Sequence, residues 1–203
     1  MNASPAGGSL GSLLLRNADV GLPLDADAGA DHLDLHDAAL LEPDGPAELA
    51  RLRTRGFVVG ATRGWSGPDG SVVQITLHRF RSSTDAQFSL ADLRDALIAA
   101  TASERAFADG VVMSISAAAG AVGGLGAVGG LGAVPALVAH AALTRRGDVA
   151  VMVVTTGEAG GQCDRNGAFA QDLAILQRGR LAQAHAFDLS AAEGHHQCGH
   201  EKH

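Results

Sequence analysis

Aromatic side chains are scarce: the 203 residues include one Trp, no Tyr and six Phe. That excludes a core built on large rings, so Ala, Gly and Val must do most of the filling. Lysine is rarer still, with Lys202 the single instance, and Lys/Arg runs are absent. With a formal net charge of −7, the chain lacks the basic face that phosphate backbones require, which argues against a nucleic-acid partner. Cysteine appears only as Cys163 and Cys198, in no C-x-x-C pattern. Two cysteines do not make a disulfide-dense scaffold, although one bridge is open to them outside a reducing compartment. No positive segment precedes an apolar core near the N-terminus, and Leu13-Leu14-Leu15 is too short for a signal core, so no export signal is read. G-x-S-x-G, H-E-x-x-H and a phosphate loop in the right context are all missing, which weakens any enzymatic reading.

The length suits one good core, and two compact domains are not expected. Residues 1–30, rich in Ala, Gly and Asp, are expected to be a flexible N-terminal segment, apart from Leu10–Leu15, which could dock on the core. Residues 31–186 then form a single α+β domain, and residues 187–203 a His-rich C-terminal tail.

One pattern occurs twice in that domain, strand–turn–strand–helix at Gly56–Ala100 and at Ala136–Ala186. In the first copy, Gly56–Trp65 and Ser71–Phe80 flank the turn residues Ser66-Gly67-Pro68-Asp69-Gly70. Val73, Ile75 and Leu77 alternate with Gln74, Thr76 and His78, the signature of a half-buried antiparallel strand with His78 on its solvent face. Thr84 and Gln87 suggest a capping box. Ala86, Leu90, Leu93 and Leu97 then form one apolar helical stripe. In the second copy, Val149–Val154 is apolar on both faces and reads as a central strand. The helix over Gly167–Ala186 is given a core stripe of Phe169, Leu173 and Leu176, with Gln171, Gln177, Arg178 and Arg180 facing water. Arg146-Gly147-Asp148 between the strands reads as turn chemistry rather than as an adhesion tripeptide. Before the first copy, a short helix over Ala47–Arg55 ends at Gly56; between the copies, Val111–Ser116 reads as a strand. The expected fold is therefore an antiparallel sheet built from two β-β-α units, with helices packed on it and a long Gly-rich loop.

Gly110–Thr144 carries no Asp, Glu, Lys or Arg, and within it Gly120–Val134 repeats Gly-Ala-Val-Gly-Gly-Leu. A transmembrane span is rejected, because glycine is a poor helix former, Pro135 interrupts the run, and a span would put the two units on opposite sides of a membrane. Gly124-Leu125-Gly126-Ala127-Val128-Gly129 fits G-x-G-x-x-G but leads to a proline and a strand, whereas a dinucleotide site needs a strand before it and a helix after. A long flexible apolar loop is the expectation.

Two clusters have metal-ligand chemistry. Asp31-His32-Leu33-Asp34-Leu35-His36-Asp37 would put His32 and His36 on one face if helical, and point Asp34 and His36 outward if extended. At the C-terminus, His195, His196, Cys198, His200 and His203 offer imidazole and thiolate donors to zinc or nickel, without the fixed spacing of a structural zinc site.

Gly56-Phe57-Val58-Val59-Gly60-Ala61-Thr62-Arg63-Gly64-Trp65, Val72–Phe80 followed by Asp85-Ala86, and Arg146-Gly147-Asp148-Val149-Ala150-Val151 with Leu176-Gln177-Arg178 carry a resemblance. Together they resemble cell-envelope proteins of actinobacteria, related in architecture to PsbP-like domains and to extracellular sensor domains. The resemblance covers about residues 13–183. It implies an antiparallel sheet with helices packed on it, sited in the cell envelope or secreted, and no agreed chemistry. The functional expectation is a non-catalytic binding or sensor-like module for an unknown small molecule or protein. Its ligand would sit in a cleft between sheet and helices or against the Gly-rich loop. A metal-binding protein using the tail and an uncharacterised hydrolase are the alternatives.

Overall fold

The computed structural model describes residues 9–21, 26–41, 45–99, 103–117, 137–158 and 167–196. Its centre is a seven-stranded antiparallel sheet of order β1-β2-β3-β7-β6-β5-β4. The strands are β1 (Ala26–Leu33), β2 (Phe57–Ser66), β3 (Val72–Phe80), β4 (Ser103–Phe107), β5 (Gly110–Ala117), β6 (Leu137–Arg146) and β7 (Val149–Glu158). The helices are α1 (Asn17–Val20), α2 (Leu35–Leu40), α3 (Gly45–Thr54), α4 (Ser83–Ala99) and α5 (Ala168–His196), preceded by a 3₁₀ turn at Leu10–Leu13.

The two β-β-α units are present as β2-β3-α4 and β6-β7-α5, and they meet at the middle of the sheet. β3 pairs with β7 from Val72↔Thr156 to Arg79↔Val149. The turns follow from local chemistry. Asp69 Oδ1 accepts from Ser71 N at 3.0 Å and Gly70 takes φ 74°, closing the first hairpin. Gly147, at φ 58°, does the same at the second.

The helices go to opposite faces. α5 and the segment Leu10–Val20 cover one face, where Val73, Ile75, Leu77, Val151 and Val153 meet Ala170, Leu173 and Leu181. α4 covers the other, with Leu90, Leu93 and Leu97 against Met113, Ala141, Leu143 and Met152. α2 and α3 extend that layer, packing Ala38, Ala39 and Leu52 with Phe80 and Ala86. With helices on both sides, β7 is buried on both faces, as its composition implied.

Several local expectations need correction. The cap of α4 is Ser82, whose Oγ accepts from Asp85 N at 3.1 Å and donates to the Asp85 carboxylate at 2.7 Å; Thr84 already lies inside the helix. On α5, Leu176 is exposed and Gln177 is wholly buried, the reverse of the expected stripe. Gln177 Oε1 accepts from Leu15 N at 2.9 Å and its Nε2 donates to Leu13 O at 2.8 Å, so it satisfies the backbone of the docked N-terminal segment. β1 and β4 were not anticipated, and β1 straddles the expected boundary at residue 31. α5 runs ten residues past Ala186 into the segment read as tail. The Gly120–Val134 loop lies outside the described residues.

Candidate functional site

β3 places Gln74, Thr76 and His78 on the face that α4 covers. Under α4, Thr76 and His78 border a small cavity of about 20 Å³, completed by Arg51 of α3, Ser89, Leu90 and Leu93 of α4, and Ala150 and Met152 of β7. That volume is room for one water molecule or one ligand atom group. Arg51 staples the two helices above it: its Nε donates to Glu48 Oε2 at 2.6 Å, Nη2 to Glu48 Oε1, and Nη1 to Ser89 O and Oγ, each at 2.9 Å. One Nη2 N–H is left unspent. Arg55 repeats the device one turn on, with a bidentate pair to Asp92 at 2.7 and 2.9 Å.

His78 is the unexpected member. Its ring lies edge-on to Phe57 at 5.2 Å and to Phe80 at 6.4 Å, while its Nε2 is shut from solvent without a hydrogen-bond partner among the described residues. Reading it as a surface residue assumed that the polar side of β3 faces water; α4 lies there instead. Burial, with the charge of Arg51 adding to it, pushes the imidazole pKa down to about 4. Gly60 makes the room. It pairs with His78 across β2 and β3, and a Cβ there would meet His78 Cδ2, Leu33 Cβ and Leu77 O, each at 3.1 Å. Thr76, also buried, joins Thr62 through their hydroxyls at 3.2 Å, and Gln74 Nε2 donates to Thr62 Oγ1 at 3.2 Å.

The nook therefore presents hydrogen-bonding groups without net charge at neutral pH. Arg51 is matched by Glu48, and His78 is a neutral imidazole. Such a site suits a hydroxyl or carbonyl of an uncharged polar ligand, ringed by Leu90, Leu93 and Met152. On the opposite face, Ser114 Oγ and His140 Nδ1 are 2.8 Å apart beneath the start of α5, where a Cβ on Gly167 would lie 3.3 Å from His140 Nδ1. The fold thus orders one Ser–His pair that spacing in the sequence could not select.

The two histidines of the Asp31–Asp37 cluster lie on different elements. His32 belongs to β1 and His36 to α2, so no helix presents both; both are exposed. Asp34 caps α2, accepting from His36 N at 2.7 Å and Asp37 N at 2.9 Å, and these backbone bonds hold its carboxyl below the usual range. His195 and His196 end α5. Cys198, His200, His203 and Cys163 lie outside the described residues. Among the described residues, no group of three or more His, Cys, Asp or Glu is placed to hold a metal ion, and no helix is long and apolar enough to cross a membrane.

No protein-family model matches the chain, and no curated protein is similar to it. Among solved structures, the fold is similar to the extracellular domain of PknH from Mycobacterium tuberculosis. The TM-score is 0.57 at 13% identity, covering 86% of this chain and 97% of that domain. A protein from Bacteroides thetaiotaomicron matches at TM-score 0.35 and 14% identity, over 56% of this chain and 36% of that one.

Proposed function

We propose that the chain is a non-catalytic, sensor-like binding module of the cell envelope that takes an uncharged polar small molecule at the Arg51–His78 nook. The observation that carries this reading is the buried, unpartnered His78 Nε2 beside an unspent Arg51 N–H, in a cavity roofed by two helices. A buried polar atom without a partner costs about 1–3 kcal/mol, and a ligand that satisfies it recovers that cost. The near-complete coverage of an extracellular domain supports the envelope location. The test is native mass spectrometry of untagged protein, followed by thermal-shift titration with whatever uncharged molecule is retained or, failing that, with a panel of polyols and sugars. A ligand-induced shift in the wild type that is lost in His78→Phe is the expected result. Equal shifts in both proteins would remove the nook from the binding site.

A further inference from the structure

The chain is acidic as a whole, yet the fold gathers arginines at one end of the sheet. There β2 begins, β3 ends and β6 turns into β7, with Phe57 opposite Phe80 and both Arg79 and Arg146 opposite Val149. Backbone bonds tie this rim together: Arg81 N donates to Gly56 O at 3.0 Å, and Phe80 N to Asp148 O at 2.9 Å. With neighbouring strands about 5 Å apart, the rim from Gly56 through Arg81 and Asp148 to Arg146 is roughly 15 Å wide. The end of α3 adds Arg53 and Arg55 beside it.

The carboxylates at this end offset only part of that charge. Asp92 is spent on Arg55, and Asp85 on the α4 cap. Asp148 stands 3.8 Å from Arg79, too far for a hydrogen bond. Farther out on the two flanks, Asp34 and Asp37 bond the backbone of α2, and Asp109 pairs with Arg178. Arg53, Arg81 and Arg146 are exposed and meet no carboxylate among the described residues. Arg145 reaches only Gly147 O, at 3.4 Å. Two large apolar side chains share the rim: Val58, 55% exposed in the β2 bulge, and Phe88, 50% exposed with the Arg55 guanidinium 5.2 Å from its ring centre.

We propose that this end of the sheet docks on an anionic phospholipid surface, the arginines meeting headgroup phosphates while Phe88 and Val58 enter the interface. The guanidinium groups are spread along an edge rather than converging on one point, which matches many phosphates instead of one bound anion. The exposed apolar pair favours a bilayer over a soluble polyanion, which offers nothing to bury it. The inference is independent of the nook, which lies between α4 and the sheet.

Flotation of the full chain with lipid vesicles tests it. Binding is expected to vesicles containing about a third phosphatidylglycerol and not to pure phosphatidylcholine, and to weaken as salt rises from about 50 to about 300 mM. Arg81→Glu with Arg146→Glu should lower vesicle affinity at least tenfold, since each basic residue near such a surface is worth about fivefold. Both side chains are exposed, so the melting temperature of this variant should stay close to wild type. Phe88→Ala should weaken binding while leaving its salt dependence unchanged. Equal binding to neutral vesicles, unchanged affinity of the double variant, or binding to inorganic polyphosphate without vesicle flotation would each overturn the proposal.

Discussion

The two faces of the sheet solve the same packing problem with opposite chemistry. On the α5 face, β3 and β7 contribute Val73, Ile75, Leu77, Val151 and Val153, all essentially inaccessible. Of the polar side chains from α5 and beneath it, Gln177 has both ends of its amide paired to the N-terminal segment, whereas Thr155 Oγ1 and Gln171 Oε1 are buried without a partner among the described residues. On the α4 face, β3 contributes Thr76 and His78, and the imidazole Nε2 is left without a partner beside a cavity. A satisfied polar group secures a fold, whereas an unsatisfied one is held in place by its surroundings at a cost. What sets the α4 face apart is the cavity beside its unpaired imidazole, where the proposed ligand would sit.

Breaking the α5 face should have the largest effect. Gln177→Ala strips the partners from Leu15 N and Leu13 O and leaves a void. A loss of about 3 kcal/mol is expected by denaturant titration. A loss under about 1 kcal/mol would mean that the N-terminal segment contributes little to this face.

The α4 face should respond in the other direction. His78→Phe keeps the ring contacts with Phe57 and Phe80 and removes the orphaned nitrogen, so stability at pH 7 should rise by about 1 kcal/mol. The pH dependence sharpens the point. The folded pKa of His78, about 4, lies below its ordinary value of 6.5, so the unfolded chain binds the proton more readily between those values. The stability of the wild type is therefore full above pH 6.5 and falls as the pH drops towards 4. The upper bound on this loss is about 3 kcal/mol. Unfolding curves at pH 7 and pH 4.5 should show the loss in wild type and not in His78→Phe. Parallel acid limbs would show that the imidazole is not buried as described.

The smallest effect belongs to Asp27, whose carboxylate is held down to a pKa of about 2, chiefly by the hydrogen bond from Arg63. Its contribution is present above its ordinary value of 3.8 and is lost as pH falls through about 2. This pair lies at the surface and is partly exposed, so Asp27→Asn should cost no more than about 1 kcal/mol at pH 7 and nothing below pH 2. A larger cost would promote the β1 edge from trim to support.

These contrasts explain what was legible in the sequence. The apolar alternation of β3, the two-sided apolar β7 and the 86–90–93–97 stripe of α4 are local periodicities, and the fold follows them. β4, Ser-Glu-Arg-Ala-Phe, has no period; it is held by pairing with β5, by the bidentate Arg94–Glu104 pair to α4 and by Phe107 against the core. The status of His78 could not be read because the period of a strand says which residues share a face, not what covers it. Gln177 was misread for the same reason: a helix buried against a docked segment needs a polar residue wherever that segment's backbone arrives. The basic rim was invisible because its arginines come from three separate stretches, residues 53–55, 79–81 and 145–146, brought together only by strand register.

The amide of Gln177 also sets a schedule. It joins residues 162 and 164 positions apart in the chain, Leu15 and Leu13 to the last helix. At a synthesis rate of about 5–20 residues per second, Leu10, Leu14 and Leu15 wait roughly ten to thirty seconds before α5 exists to cover them. These residues are thus made well before the helix that covers them, and until it forms their apolar side chains stay exposed on the nascent chain.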